Sequence, residues 1–203
     1  MVVSWTKHRF SGGLLALDTT NTVVLRGDPA NSFDRFADAA EIGRFAEAAS
    51  GFRSTELGGR QLWFRASETA ARRVVALREA ADRLFREAAA TGEMRSALLP
   101  DFLRAAAACL DESDDRLGAN GMPFGEGSDP MHFEAALAVS ALSLLAGDAW
   151  KKIRICGNCR WLFLDRSRNA SRLWCDMSVC GNRHKARRHY ERRKQAERED
   201  VLV

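Results

Sequence analysis

The sequence predicts a mainly α protein of the α+β class, with a helical N-terminal domain at residues 1–150 and a smaller, cysteine-rich domain at residues 151–203. Three observations support this prediction. Apolar residues recur with helical spacing through the first 150 positions, the net charge changes sign near Trp150, and four of the five cysteines follow Trp150. A chain of 203 residues is long enough for two unequal domains.

The N-terminal domain is predicted to contain five helices. Their apolar positions are Leu14, Leu17, Asn21 and Val24 in the first, Phe33, Phe36, Ala40 and Phe45 after a Ser32 N-cap in the second, and the periodic stretches 67–90, 98–110 and 131–150. The last stretch opens with Asp129 as N-cap and Pro130 as first helical residue. The Gly-rich residues 116–127 are predicted to form a hairpin or a loop, which adds minor β-hairpin content.

Composition excludes several classes of protein. With 46% hydrophobic and 29% charged residues, the chain resembles a globular protein, not a disordered or collagen-like one. No stretch approaches the roughly 18 apolar residues that span a bilayer. Residues 1–10 contain Trp, Lys, His and Arg without an apolar core, unlike a secretory signal. We therefore expect no membrane partner and a cytoplasmic location.

The net charge of +4 conceals two regions of opposite charge. Residues 150–203 contain 15 Lys or Arg and 6 Asp or Glu, whereas the preceding residues contain 16 basic and 21 acidic ones. Arg-rich segments are often only solvated surface. Here the basic residues cluster with four cysteines, which favours a binding function.

Four cysteines have the spacing of a zinc site. They follow the pattern C-x2-C-x15-C-x4-C and are Cys156, Cys159, Cys175 and Cys180. A reducing cytoplasm keeps thiols free, and a two-residue gap lets one tight turn present two thiolates to a metal. We predict one structural zinc ion per chain. A thioredoxin-like redox pair, which lacks its βαβ surroundings here, and a chance thiol cluster are the alternatives. Cys109 lies in an apolar helical stretch and is expected in the core.

The basic segment is predicted to fold as a treble-clef-like zinc finger that ends in a basic helix. Residues 151–155 and 161–164 indicate short strands around the first cysteine pair, and 172–174 a strand that returns after the polar turn 166–171. Helix formers dominate from 179 to 198, so the last cysteine lies in the first turn of a helix. The positive end of the helix dipole stabilises a thiolate there.

The final helix is too basic to bury an ordinary face in a core. Guanidinium groups match phosphate oxygens and guanine edges, and an α-helix fits the major groove, so we predict that this helix binds DNA. The residues predicted to contact nucleic acid are Arg168, Arg172, Arg183, His184, Lys185, Arg187, Arg188 and Arg192. The alternative is an RNA-binding or protein-interaction adaptor, in which Trp161 and Phe163 stack on bases.

Asp18, Asn21 and Thr22 form a polar cluster in an apolar segment of the N-terminal domain. They either contact a small-molecule effector or cap helix ends and fix neighbouring turns, and we favour the capping role. The sequence has no Gly-rich phosphate loop, no Ser-His-Asp order and no HExxH pattern. We therefore predict no enzyme activity. We expect the N-terminal domain to sense a ligand, to form a homodimer or to act as a packing module.

The run Cys180-Gly-Asn-Arg183 is a specific signature, preceded by Trp174-Cys175 and by the sequence FLDRSRN at 163–169. With the basic helix that follows, it resembles the CGNR zinc-finger family. In that family the finger follows an N-terminal ABATE domain, whose Leu-Asp-x-x-Asn-Thr opening is similar to residues 17–22, although Thr19-Thr20 replaces an aromatic-aliphatic pair. The resemblance implies a bacterial, stress-induced transcription regulator that associates with the nucleoid when bound to DNA.

Overall fold

The computed structural model describes residues 3–111, 113–115, 117, 124–125 and 129–200. These residues contain six α-helices and six short strands. For residues 196–200 only the helical backbone is described. The helices are α1 Leu15–Thr20, α2 Ala39–Phe52, α3 Glu68–Thr91, α4 Leu99–Leu110, α5 Phe133–Ser143 and α6 Asn182–Asp200. The strands are β1 Val23–Val24, β2 Phe33–Asp34, β3 Leu62–Trp63, β4 Met131–His132, β5 Ile153–Ile155 and β6 Leu162–Leu164.

This architecture confirms the predicted mainly α fold with small strand content and a helix after the cysteine cluster. The hairpin or loop predicted at 116–127 lies largely outside the described residues. None of the helices in the described ranges has the length and apolar character that spanning a bilayer requires.

Helix α3 follows the predicted period closely. Ser67 is the N-cap, and its hydroxyl accepts a hydrogen bond from the N–H of Ala70 at 3.1 Å. Gly92 ends the helix in a left-handed conformation with φ 79°, which a glycine adopts without strain. The buried face carries Val74, Leu77, Ala81, Leu84 and Phe85. The prediction of this long helix is confirmed, as is that of α4, which begins one residue later than expected.

The helix predicted from residue 33 begins later, after its N-cap Asp38. Residues 33 and 34 instead form β2, which pairs antiparallel with β1. The Asp34 carboxylate accepts two hydrogen bonds from Arg78, at 2.6 and 2.7 Å, and one from the N–H of Phe36. These bonds hold the chain extended before α2, so a tertiary contact overrides the local apolar period.

Helix α5 is also shorter than the predicted stretch 131–150. Strand β4 pairs in parallel with β3, and the N–H of Met131 donates to the carbonyl of Gln61 at 2.8 Å. The pairing delays the helix to Phe133, so Asp129 and Pro130 are not its N-cap and first residue. The helix then packs against α1, α3 and α4 and fills the centre of the helical core.

Strands β5 and β6 form an antiparallel hairpin that lies between two cores. Successive side chains of a strand point to opposite faces. Leu162 and Leu164 join Ile153 in the hydrophobic core of the helices, whereas Phe163 packs with the cysteines. All three side chains of β6 are buried. One short strand therefore belongs to the helical core on one face and to the cysteine cluster on the other.

The side chain of Asn21 bonds the helices to this hairpin. Its amide N–H donates to the carbonyl of Leu162 at 2.8 Å, and its oxygen accepts from the N–H of Leu162 at 2.9 Å. Next to it, the N–H of Leu164 donates to the carbonyl of Gly12 at 2.7 Å. These partners take the place of a neighbouring strand along the edge of β6 that faces away from β5.

Substitution of Asn21 by Ala leaves the N–H and the carbonyl of Leu162 buried without partners. Each unsatisfied buried group costs about 1–3 kcal/mol, so we expect the free energy of unfolding to fall by about 2–5 kcal/mol. Urea denaturation measures the change. The matched control is Asn31→Ala, because Asn31 is exposed and its amide bonds only Asp28 in the same turn. Equal losses in the two variants would contradict the bridging role of Asn21.

Candidate metal centre and basic helix

The four predicted metal ligands lie together. The sulfurs of Cys156, Cys159, Cys175 and Cys180 are all within 4.8 Å of one another. The sulfur of Cys175 is 3.6 Å from that of Cys159 and 3.6 Å from that of Cys180. A tetrahedral zinc site with metal–sulfur bonds of about 2.3 Å has sulfur–sulfur edges of about 3.8 Å. The spacing therefore matches such a site with little movement.

The turn after β5 presents the first pair of sulfurs. The N–H of Cys156 donates to the carbonyl of Trp161 at 2.8 Å, and the carbonyl of Cys156 accepts from the N–H of Arg160 at 3.0 Å. Arg160 has a left-handed backbone with φ 63°. Residue 157 must be glycine, because a Cβ there would lie 2.8 Å from the ring of Trp174. The C-x2-C spacing thus forms the tight turn that the sequence predicts.

Asp176 shapes the turn that carries the last cysteine. It is the N-cap of the π-helical turn Met177–Gly181, and its carboxylate accepts from the N–H groups of Ser178 at 2.8 Å and Val179 at 3.3 Å. The N–H of Cys180 donates to the carbonyl of Asp176 at 2.9 Å. This turn leads directly into α6, so the metal cluster anchors the start of the helix.

Residues 172–174 do not form the strand that the sequence predicts. The partner of β6 is β5, and the buried Asp165 directs the chain elsewhere. Its carboxylate accepts from the N–H of Ser167 at 2.9 Å and from the N–H of Arg172 at 2.8 Å. Burial alone would raise the pKa of Asp165, but these hydrogen bonds outweigh it and hold the pKa below its usual value. Asp165 thereby closes the loop between the hairpin and the second cysteine pair.

The chemistry of the sulfurs fits a divalent metal. Hydrogen bonds from Cys159 and Cys175 lower the pKa of Cys156 far below the usual thiol range. Hydrogen bonding to the Cys156 thiolate, together with burial, raises the pKa of Cys159 and of Cys175. Four thiolates therefore need a cation to coexist at these distances, and a zinc ion supplies it. The donor set fits one structural zinc ion per chain.

Most residues predicted to bind nucleic acid are exposed. Arg187 also forms an ion pair with Glu191 one turn later, with Nε and Oε1 2.9 Å apart. The exposed predicted residues are Arg168 and Arg172 in the segment between β6 and the second cysteine pair, and Arg183, Lys185, Arg187, Arg188 and Arg192 on α6. The five on α6 form a basic surface that begins at the metal cluster.

Two of the predicted residues, the exposed Arg172 and the half-buried His184, also make contacts within the finger. The guanidinium of Arg172 donates to the carbonyl of Cys175 at 2.6 Å and lies over the ring of Phe163. The ring of His184 packs against Trp174, with centroids 4.5 Å apart. Both side chains therefore hold the second cysteine pair in place.

The aromatic residues of the alternative prediction lie inside the protein. Trp161 is 6% exposed and Phe163 is 0% exposed. Phe163 packs among the cysteines, and the ring of Trp161 stacks on His8 with centroids 5.4 Å apart. Neither ring offers a free face to a nucleic-acid base.

Asp18, Asn21 and Thr22 lie in the interior, each at most 2% exposed. Asp18 accepts from the N–H of Gly12 at 2.7 Å and from the guanidinium of Arg53, while the hydroxyl of Thr22 donates to a carbonyl of α1 at 2.8 Å. Burial raises the pKa of Asp18 to about 6, although Arg53 acts to lower it. The cluster ties α1 to α2 and to the hairpin.

A half-buried carboxylate, Glu56, is not indicated by the sequence. It accepts from the hydroxyl of Ser140 at 2.6 Å and from the N–H of Leu15 at 2.8 Å, and burial raises its pKa to about 7. With Arg53 and Arg166 it lines a cavity of about 590 Å³. A lone glutamate after a helix has the pattern of solvated surface, so no periodicity or motif could reveal its burial.

Two family models match the chain. The first, ABATE, described as "Putative stress-induced transcription regulator", covers residues 13–150. The second, the CGNR zinc finger, covers residues 152–193 and includes all four cysteines. No curated protein matches. Both descriptions name regulatory or zinc-binding modules and neither names an enzyme.

Removal of zinc should unfold one part of the finger and spare another. The turn Met177–Gly181 and the start of α6 depend on the cysteine cluster, whereas β5 and β6 also pack in the helical core. We expect a chelator to release one zinc per chain and to raise amide hydrogen exchange at 175–188, with β6 still protected. Restoring zinc is the control. Exchange that rises equally in β6, or nowhere, would contradict this division.

Glu56 should make stability fall as the pH rises. Its pKa is higher in the folded chain than its usual value of 4.5, so the folded state holds the proton more tightly. The resulting stabilisation is present at low pH and is lost as the pH rises toward 7, by about 3 kcal/mol for a shift of this size. Asp18 acts in the same direction.

Urea denaturation of the zinc-loaded protein at pH 5 and pH 8 measures this loss. Glu56→Gln should remove a large part of it, because the neutral side chain keeps an acceptor without the buried charge. Glu47→Gln, at an exposed position of α2, is the control and should leave the loss unchanged. A pH dependence that is the same in both variants would exclude Glu56 as its source.

Proposed function

The chain belongs to the ABATE family and carries a CGNR zinc finger, and we propose that it regulates transcription by binding duplex DNA through α6. The observation that carries this proposal is the exposed basic surface of α6, which begins at the metal cluster. A helix anchored at one end by zinc keeps its cationic side chains available to a partner. The partner that fits them is a polyanion.

Three basic residues of α6 have a spacing that places them in one row along the helix, where they could face a DNA groove. Lys185, Arg188 and Arg192 are separated by three and four positions, so they share one face of the helix. An α-helix fits the major groove, which is about 12 Å wide, and arginine forks can bond guanine edges or phosphate oxygens there. This stripe is our candidate for the surface that enters DNA.

The opposite charges of the helical domain and the finger also indicate that the finger is the part that meets DNA. The basic residues exceed the acidic ones only in 150–203, while the helical domain carries an excess of acid. A polyanion is attracted to the finger and repelled by most of the remaining surface. We therefore assign DNA binding to residues 151–203 and regulation to residues 1–150.

Effector sensing is our proposal for the helical domain. The cavity beside Glu56 is lined by Arg53 from the end of α2 and by Arg166 from the finger loop. A small molecule bound there would touch both modules and so could change the position of the finger. Homodimer formation stays a prediction. A regulator of this kind works in the bacterial cytoplasm, at the nucleoid.

Two other functions fit the site less well. A zinc hydrolase needs an open coordination position, and four cysteine ligands leave none. Since neither family description names an enzyme, we infer a regulatory and not an enzymatic role. The RNA-binding adaptor is expected to stack bases on Trp161 and Phe163, and both rings are buried. Duplex DNA is therefore the partner that we propose.

The test is a triple variant with Lys185, Arg188 and Arg192 changed to Gln. Each lost phosphate contact should lower the slope of log affinity against log salt by about 0.9, so the triple variant should lose up to about 2.7. Fluorescence anisotropy with a duplex oligonucleotide measures both affinity and slope.

The matched control removes three exposed charges from the helical domain, as Arg72, Arg83 and Arg104 to Gln. It should bind DNA as the unchanged protein does. Equal weakening by both triple variants would mean that total charge, and not the surface of α6, determines binding. Tighter binding of single-stranded RNA than of duplex DNA would favour the adaptor instead.

A further inference from the structure

A pair of arginines from the helical domain lies beside the finger. Arg35 follows β2, and its guanidinium lies between the rings of Phe33 and Trp161, 5.6 and 5.4 Å from their centroids. Arg9, in the 3₁₀ turn Lys7–Phe10, has its guanidinium 6.0 Å from the centroid of the Trp5 ring. Aromatic faces therefore orient both cations.

No described carboxylate lies within 4.0 Å of either guanidinium. The nearby acids already have partners. Glu41 accepts from Val3, Trp5 and Arg44, and Asp34 accepts two bonds from Arg78. Burial and the charge of Arg9 lower the pKa of Arg35 to about 10, which indicates that the two cations repel each other. Burial also holds the pKa of Arg9 below its usual value, although the charge of Glu41 acts to raise it.

Several hydrogen-bond donors on Arg35 and Trp161 lack an acceptor within the described ranges of the chain. The guanidinium of Arg35 donates one hydrogen bond to the carbonyl of Asn21 at 3.3 Å. Its other nitrogens have no acceptor among the described residues. The indole N–H of Trp161 is buried and has no acceptor in the same part of the chain. A set of donors without acceptors is suited to an anion.

The position of the pair connects it to α6. The ring of His8, next to Arg9, stacks on Trp161, and its Nδ1 lies 3.5 Å from the carboxylate of Asp176. Asp176 caps the turn that leads into α6. When a helix occupies the major groove, the phosphates that border the groove lie beside it, at the edges of a space about 12 Å wide. A cation of the helical domain that lies beside the finger would then meet that backbone.

We propose that Arg9 and Arg35 form a phosphate-binding site for the DNA backbone at the edge of the groove that α6 enters. This inference rests on the proposed function and adds a contact from the helical domain to it. Such a contact carries no sequence information, but it fixes the angle at which the helix meets the duplex. The finger and the helical domain would then hold DNA together.

The test uses zinc-loaded full-length protein and a random-sequence duplex, with anisotropy titrations between 50 and 200 mM salt. Arg9→Gln should lower the salt slope by about 0.9 and weaken binding to every duplex alike, because one phosphate contact is lost. The control is Arg104→Gln, which removes the same charge from α4 and should keep the slope of the unchanged protein.

Arg35 also packs between two rings, so its variants must separate charge from structure. Arg35→Gln should lower the slope by about 0.9, whereas Arg35→Lys keeps the charge and should keep the slope even if the fold is weakened. Zinc content and thermal unfolding verify that each variant is folded. If Arg35→Gln fails to fold, Arg9→Gln and its control decide the question alone.

Failure of this inference differs from failure of the proposed function. If Arg9→Gln keeps the slope of Arg104→Gln while Arg188→Gln lowers it, the phosphate site is excluded and DNA binding by α6 stands. If the unchanged protein binds no duplex DNA at all, both are overturned. A lowered slope in Arg9→Gln and Arg188→Gln, with Arg104→Gln unchanged, supports both.

Discussion

The structure depends on a two-strand hairpin whose residues belong to two cores at once. Leu162 and Leu164 face the helices, Phe163 between them faces the cysteines, and Asn21 bonds the outer edge of the strand. Because a strand alternates its side chains, neither face can be repacked without moving the other. The hairpin therefore fixes the metal cluster, and with it the start of α6, relative to the helical domain.

The cysteine cluster needs its metal because it has little apolar core of its own. Its buried members are three of the cysteines and Phe163, with Trp174 and Cys159 packed at the edge. Zinc supplies the missing free energy, about 10–16 kcal/mol in isolated finger peptides. The basic helix that follows is long and polar, so its position relies on this anchor and on the contact of His184 with Trp174. Folding, metal binding and the presentation of charge are thus one event.

Features encoded by local patterns could be predicted from the sequence. The cysteine spacing, the tight turn of the first cysteine pair, the long helix α3 and the basic helix each depend on residues close together in the chain. The predicted starts of two helices were wrong because contacts with residues distant in the chain determine where those helices begin. Arg78 holds Asp34 extended and delays α2, and pairing with β3 delays α5.

The hydrogen bonds between Asn21 and Leu162 join residues 141 positions apart. Neither segment has a sequence pattern that predicts them. The partial burial of Glu56 could not be predicted either, because its partners Ser140 and Leu15 come from distant helices.

The most direct test of the shared hairpin is a set of amide residual dipolar couplings from the zinc-loaded protein. We predict that one alignment tensor fits the couplings of α3, β6 and residues 177–187 together. Separate tensors for the helical domain and for residues 177–187 would contradict the account.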